Sequence, residues 1–138
     1  MLKPAIVYIC NNLDFQDNFT QKQLIKKFSK KRDFEIKKWF IDNLEFKDRF
    51  SETRSGLESL MSWIEDHENL TIITVGVGRF TLDFDHFIRI QNKFQSRNIT
   101  MIAIDCELSL NEEEQRLLEK IETALSNNKN YSLEKSND

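Results

Sequence analysis

The side chains able to do chemistry sit at the ends of apolar runs. Cys10 closes the first such run, two positions before Asn12 and therefore on the same strand face. Arg54 precedes a helical stretch, and Arg79 follows Gly76 and Gly78 at the end of a β-branched run. Guanidinium groups in such places can hold a phosphate or other anion bidentately. They can equally form structural ion pairs with Asp42 or a neighbouring carboxylate. Cys10 also has two readings. A nearby arginine such as Arg79 would lower its pKa and make it a nucleophile, or it is a small buried apolar residue, the commoner fate of a thiol in such a run.

Other candidates are weaker. Ser51, Thr53 and Ser55 read as caps or loop residues near Arg54. His67 and His86 have no partner at a catalytic spacing and read as surface residues. Cys10 and Cys106 fit neither a disulfide framework nor a zinc site, so no metal is expected. Neither G-x-G-x-x-G nor G-x-x-x-x-G-K occurs, and Gly76-Val77-Gly78 is too short to cradle a nucleotide. No cofactor is expected.

The elements that must position these residues alternate. Pro4–Cys10 is a continuous apolar run, as in a strand covered on both faces. Asn18–Lys31 spaces Phe19, Leu24, Ile25 and Phe28 as one stripe of an amphipathic helix. Glu35–Asp42 reads as a strand, Asn43–Thr53 as a charged loop, and Arg54–His67 as a helix carrying Leu57, Leu60, Met61 and Ile64, capped by Ser55 or Thr53. Asn69–Val77 and Ile99–Cys106 read as strands, Leu82–Arg97 and Asn111–Ser126 as helices. The order predicts a three-layer α/β domain over residues 1–126, with a mostly parallel sheet of about four to five strands and helices on both faces. Residues 127–138 are polar and read as a disordered tail.

Bulk properties narrow the function classes. The chain has 138 residues, 39% of them hydrophobic, enough for one domain with a real core. Its net charge of −3 argues against strong DNA binding by the domain alone, since that binding rests on neutralising phosphates. The basic run from Lys22 to Lys38 reads as a solvated face or as a patch facing phosphate or a partner. No stretch approaches the roughly 20 apolar residues needed to span a bilayer, and no cleavable leader is evident, so a cytoplasmic location is expected.

The residues at the strand ends resemble the catalytic domain of serine recombinases, the resolvase/invertase family. That domain opens with Tyr-x-Arg-Val-Ser, followed by two glutamines, a strand ending in Asp, an Arg before Gly-Leu, and Asp-Arg-Leu-x-Arg after the third strand. Here Tyr8-Ile9-Cys10-Asn11-Asn12 fills the opening, and Gln16 and Gln21 stand at the glutamine positions. Phe40-Ile41-Asp42 ends the second strand, Arg54-Ser55-Gly56-Leu57 starts the helix, and Gly78-Arg79-Phe80-Thr81-Leu82 fills the last motif.

The resemblance implies a nucleophilic serine and several arginines around a DNA phosphate. Asn12 stands at the serine position, and an amide nitrogen is no nucleophile for phosphoryl transfer. Cys10 and Leu82 replace two arginines, and Gly78 replaces the aspartate. Arg54, Arg79, Gln16 and Gln21 remain as anion-binding candidates. The reading that follows is a recombinase-like domain without cleavage activity, acting as a protein-binding or regulatory module linked to DNA recombination or a mobile element. Its alternative is a small α/β enzyme, or a nucleotide- or phosphate-binding protein, with altered chemistry at the strand C-termini using Cys10, Arg54 and Arg79. The stripe Leu117, Leu118, Ile121 and Leu125 would either pack on the chain's own sheet or join it, as a dimer, to a second copy or to an active recombinase. The acids opening that helix suit its dipole and would repel DNA.

Overall fold

The computed structural model describes residues 2–11, 18–43, 55–76, 78–81, 83–105 and 112–135. Five strands form one sheet: β1 (Lys3–Asn11), β2 (Phe34–Asn43), β3 (Thr71–Val75), β4 (Thr100–Asp105) and β5 (Tyr131–Lys135). Four α-helices connect them: α1 (Asn18–Lys31), α2 (Ser55–Trp63), α3 (Phe84–Ser96) and α4 (Glu112–Leu125). The spatial order is β2-β1-β3-β4-β5, and every neighbouring pair is parallel. The connection reverses direction between β1 and β3, where open sheets of this order bind ligands at their C-terminal edge.

Two cores sandwich the sheet. Ala5, Val7 and Ile9 of β1 face Ile25 and Phe34 on the α1 side. Ile6, Tyr8 and Cys10 face the other side, with Leu57 and Leu60 of α2, Phe87 and Phe94 of α3, and Leu117 and Ile121 of α4. Both faces of β1 are therefore dry, which explains its unbroken apolar run.

One irregularity sets which way the functional end of β2 points. Ala5 pairs with Ile36 but Ile6 pairs with Lys38, so Lys37 is an extra residue in the ladder. A bulge of one residue exchanges the two faces of a strand. Before it, Phe34 and Ile36 pack on the α1 side; after it, Phe40 packs on the α2 side, and Trp39 and Ile41 on the α1 side. Asp42 shares the parity of Phe40 and is carried to α2.

One expectation changes at the C-terminal end, and one open choice is narrowed. Residues 131–135, read as part of a disordered tail, form β5 in parallel register with β4. Tyr131 and Leu133 pack on the α2–α4 core, while Glu134 pairs with Arg32 at 3.2 Å. An edge strand needs only one apolar face, and alternating Tyr131 and Leu133 supply it despite the polar composition. The helical stripe of α4 is used internally: Leu117, Ile121 and Leu125 are buried in the chain's own core, with Leu118 packed beside them.

Several residues of the basic run have partners within the chain. Lys22 and Lys38 lie over the rings of Trp39 and Phe40, Arg32 lies over Phe28, and Lys37 pairs with Glu35 at 2.9 Å. Among the described residues, no helix is long and apolar enough to cross a membrane.

Candidate functional site

Cys10, Gln21, Gly78 and Arg79, the family-motif candidates within the described parts, gather at the C-terminal edge of β1 and β3, beside the end of β2. Two buried carboxylates organise that edge, Asp42 at the end of β2 and Glu114 in the first turn of α4.

Asp42 Oδ1 accepts the Gly56 N–H at 2.7 Å, and Oδ2 accepts the Leu57 N–H at 2.9 Å. These are N–H groups of the first turn of α2, which have no partner inside the helix. The Tyr8 hydroxyl donates to Oδ2 at 2.6 Å. Asp42, brought from another strand, thus does the capping expected of Ser55 or Thr53; Thr53 lies outside the described residues. The approach is close enough to demand glycine. A Cβ on Gly56 would lie 2.7 Å from the Ile41 carbonyl oxygen and 2.9 Å from Asp42 Oδ1.

Glu114 performs the matching task after β3. Its Oε1 accepts the Gly78 N–H at 2.8 Å and pairs with Arg79 Nη1 at 3.3 Å. Both side chains are fully buried. Gly76 has φ +83°, in the left-handed region, and a Cβ there would meet Glu114 Oε1 at 2.7 Å. Arg79 therefore takes the ion-pair reading, with Glu114 rather than Asp42 as its carboxylate. Of the acids at the start of α4, Glu112 is exposed, whereas Glu114 points inward.

Next to Arg79, Phe80 is fully buried and stacks on Tyr8 with ring centroids 4.8 Å apart. The Tyr8 carbonyl accepts from Thr74 Oγ1 at 2.9 Å. Cys10 is fully buried and its thiol belongs to the α2–α4 core, which favours the small-apolar reading over the nucleophile. Gln21, an anion candidate, is also fully buried; its amide Nε2 donates to the Cys10 carbonyl at 3.0 Å and ties α1 to β1. Asn12, Gln16, Arg54 and Leu82 lie outside the described residues, as do Ser51 and Cys106.

The two histidines divide. His67 stacks on Trp63, with ring centroids 3.5 Å apart, and its Nδ1 lies 2.7 Å from the Trp63 carbonyl oxygen. His86 is buried, not a surface residue as expected; it lines a groove of about 400 Å³ between α2 and α3 with Leu57, Met61 and Ile90. Glu114 is the residue that sequence reasoning missed. Its only signal is its place in the helical period, three residues before Leu117 and seven before Ile121.

No curated protein matches the sequence. Several solved structures share the fold. The N-terminal catalytic domain of TP901-1 integrase superposes with a TM-score of 0.67 at 16% identity, covering 90% of this chain and 94% of that one. The C-terminal catalytic domain of ISC1926 TnpA, an IS607-like serine recombinase, gives 0.62 at 16% identity, covering 89% and 80%. The first ORF in transposon ISC1904 from Sulfolobus solfataricus P2 gives 0.59 at 18% identity, covering 90% and 81%. At the level of sequence, residues 11–133 match the family described as Resolvase, N terminal domain. That match runs from the end of β1 into β5, so the chain belongs to the resolvase N-terminal domain family of serine recombinases.

Proposed function

We propose that the chain is a serine-recombinase-type domain that does not cut DNA and serves as a protein-binding or regulatory module in recombination or in a mobile element. The observation that carries this reading is the state of Arg79. In the resemblance it belongs to the arginines around the DNA phosphate, yet here it is fully buried against Glu114. Removing even one oxyanion contact costs an enzyme on the order of a hundredfold in rate. Asn12 at the serine position, with Cys10 and Leu82 at arginine positions, supports the same reading. Kinship of fold with an integrase and a transposon protein supports the link to mobile elements.

The partner is a second copy of the chain or an active recombinase. Because Leu117, Ile121 and Leu125 are consumed in the chain's own core, contact through α4 would use its outer side. DNA binding by the domain alone is weak, in keeping with its net charge of −3.

The test is a cleavage assay on supercoiled DNA, quenched with detergent and scored for covalent protein–DNA adducts. Neither the wild type nor Asn12→Ser is expected to form one, because restoring a hydroxyl leaves Cys10 and Leu82 at two of the arginine positions. An adduct from the wild type would overturn the proposal. Sedimentation equilibrium over a range of concentrations, alone and with a purified serine recombinase, tests association; a monomer under both conditions would remove the binding role.

A further inference from the structure

We infer that the outer face of α1 is a docking surface for a short acidic polypeptide segment, with lysines as its charges and Phe19 as its apolar anchor. The surface lies across the sheet from α4, so an acidic partner there neither requires nor excludes the loss of cleavage. Among the described residues, α1 alone packs on its face of the sheet, while α2, α3 and α4 share the other. Its inner side is fixed by Gln21, Ile25 and Ser29, all buried. The helical period then sets Phe19, Gln23, Lys26 and Lys30 in one line toward solvent, with Lys22 and Lys27 flanking it.

The charge on this face is segregated from the rest of the molecule. α1 contains no acid. Residues 22–38 hold eight Lys and Arg against two acids, a balance of +6; the whole chain is −3, which leaves −9 elsewhere. Among the described residues, no ion pair engages Lys26, Lys30 or Lys31. Phe19 is 71% exposed. A lone exposed apolar side chain is ordinary, but this one heads the same line as Lys26 and Lys30. The complement is a segment with carboxylates at helical spacing and an apolar residue at one end. Carboxylates three and four residues apart on a helix stand about 5–6 Å from one another, as the lysines do.

A nucleic-acid backbone fits less well. The stripe is one helix wide and about 21 Å long. Acids close its C-terminal end: Glu134 pairs with Arg32 at 3.2 Å, Glu35 with Lys37 at 2.9 Å, and Asp33 is exposed. A duplex, continuous in charge, would run onto these groups within the Debye length of about 8 Å. A segment of about four turns ends before them.

The test uses the full chain, labelled with nitrogen-15, and a synthetic alanine-based helix carrying one leucine followed by glutamates at three- and four-residue spacing. A peptide with glutamine for glutamate and a short DNA duplex are the comparisons. Amide shifts are expected to move along α1 with the glutamate peptide at about 0.15 M salt, and little with the glutamine one. Affinity, read by fluorescence anisotropy, should fall about tenfold in Lys26→Gln/Lys30→Gln and about tenfold in Phe19→Ser. All three side chains are at exposed positions, so thermal unfolding should be unchanged. The inference is overturned if the glutamine peptide binds as well, if the shifts fall elsewhere, or if either variant loses less than about threefold. Tighter binding of the duplex at α1 would also overturn it and assign the face to nucleic acid. None of these outcomes bears on the covalent-adduct assay, so the two proposals fail separately.

Discussion

The Tyr8 hydroxyl donates to Asp42 Oδ2 at 2.6 Å, joining the middle of β1 to the carboxylate that also caps α2. Both partners are buried, Tyr8 completely. Tyr8→Phe is therefore expected to cost about 1.5 kcal/mol, the worth of one hydrogen bond to a charged group. Asp42→Ala strands the hydroxyl and two helix N–H groups and is expected to cost about 3 kcal/mol. Urea unfolding of the single and double variants should show less than additive losses. Additive losses would mean that the bond contributes nothing.

Gly56 and Ser55 should respond in opposite ways. Gly56→Ala drives a Cβ to within 2.7 Å of the Ile41 carbonyl oxygen, and such overpacking costs about 1–3 kcal/mol. Ser55→Ala, at an exposed position, is expected to stay within about 0.5 kcal/mol, because Asp42 does the capping. A large loss at Ser55, measured by chemical denaturation, would return the cap to the serine.

β5 is part of the fold. Its backbone amides should be protected in hydrogen exchange, and truncation after Asn127 should lower the unfolding midpoint. Leu133→Ala, at a half-buried position, should cost about 1 kcal/mol, toward the low end for a deleted apolar side chain. A truncated chain as stable as the full one would reinstate the disordered tail.

Cys10 should be chemically silent. Its side chain is fully buried, so an alkylating or disulfide reagent should label it only as fast as the domain unfolds. Peptide mapping distinguishes it from Cys106. Rapid labelling of Cys10 in the folded protein would revive a thiol nucleophile.

Glu65 offers a small pH signature. A hydrogen bond from Lys93 holds its carboxyl below the usual range against an opposing desolvation, helped by the charges of Lys93 and Arg97. A depressed carboxyl contributes stability that is present above its unfolded pKa and lost as pH falls through the folded one. The side chain is exposed, so the effect should be slight and screened by salt. Carboxyl NMR titration should show Lys93→Met moving Glu65 upward, while an unchanged titration would deny the pair.

The sequence by itself determined the order and kind of nearly every element. Apolar runs such as Pro4–Cys10 and helical stripes such as Leu57, Leu60 and Ile64 reflect burial on one or two faces, and burial writes a period that survives without coordinates. It also marked the strand-end residues by which the family is recognised. β5 was hidden because an edge strand carries only two apolar side chains within a polar segment.

What tertiary structure decided is where the charged residues point. Nothing local says that a bulge at Lys37 turns Asp42 toward α2, or that Glu114, third in a run of acids, turns inward while Glu112 faces water. Those outcomes depend on long-range register and on which helix lies over which strand end. Arg79 looked the same in sequence whether it met a phosphate or a carboxylate. Only the packing of α4 against the end of β3 chose the carboxylate, because it brings Glu114 within reach of Gly78 and Arg79.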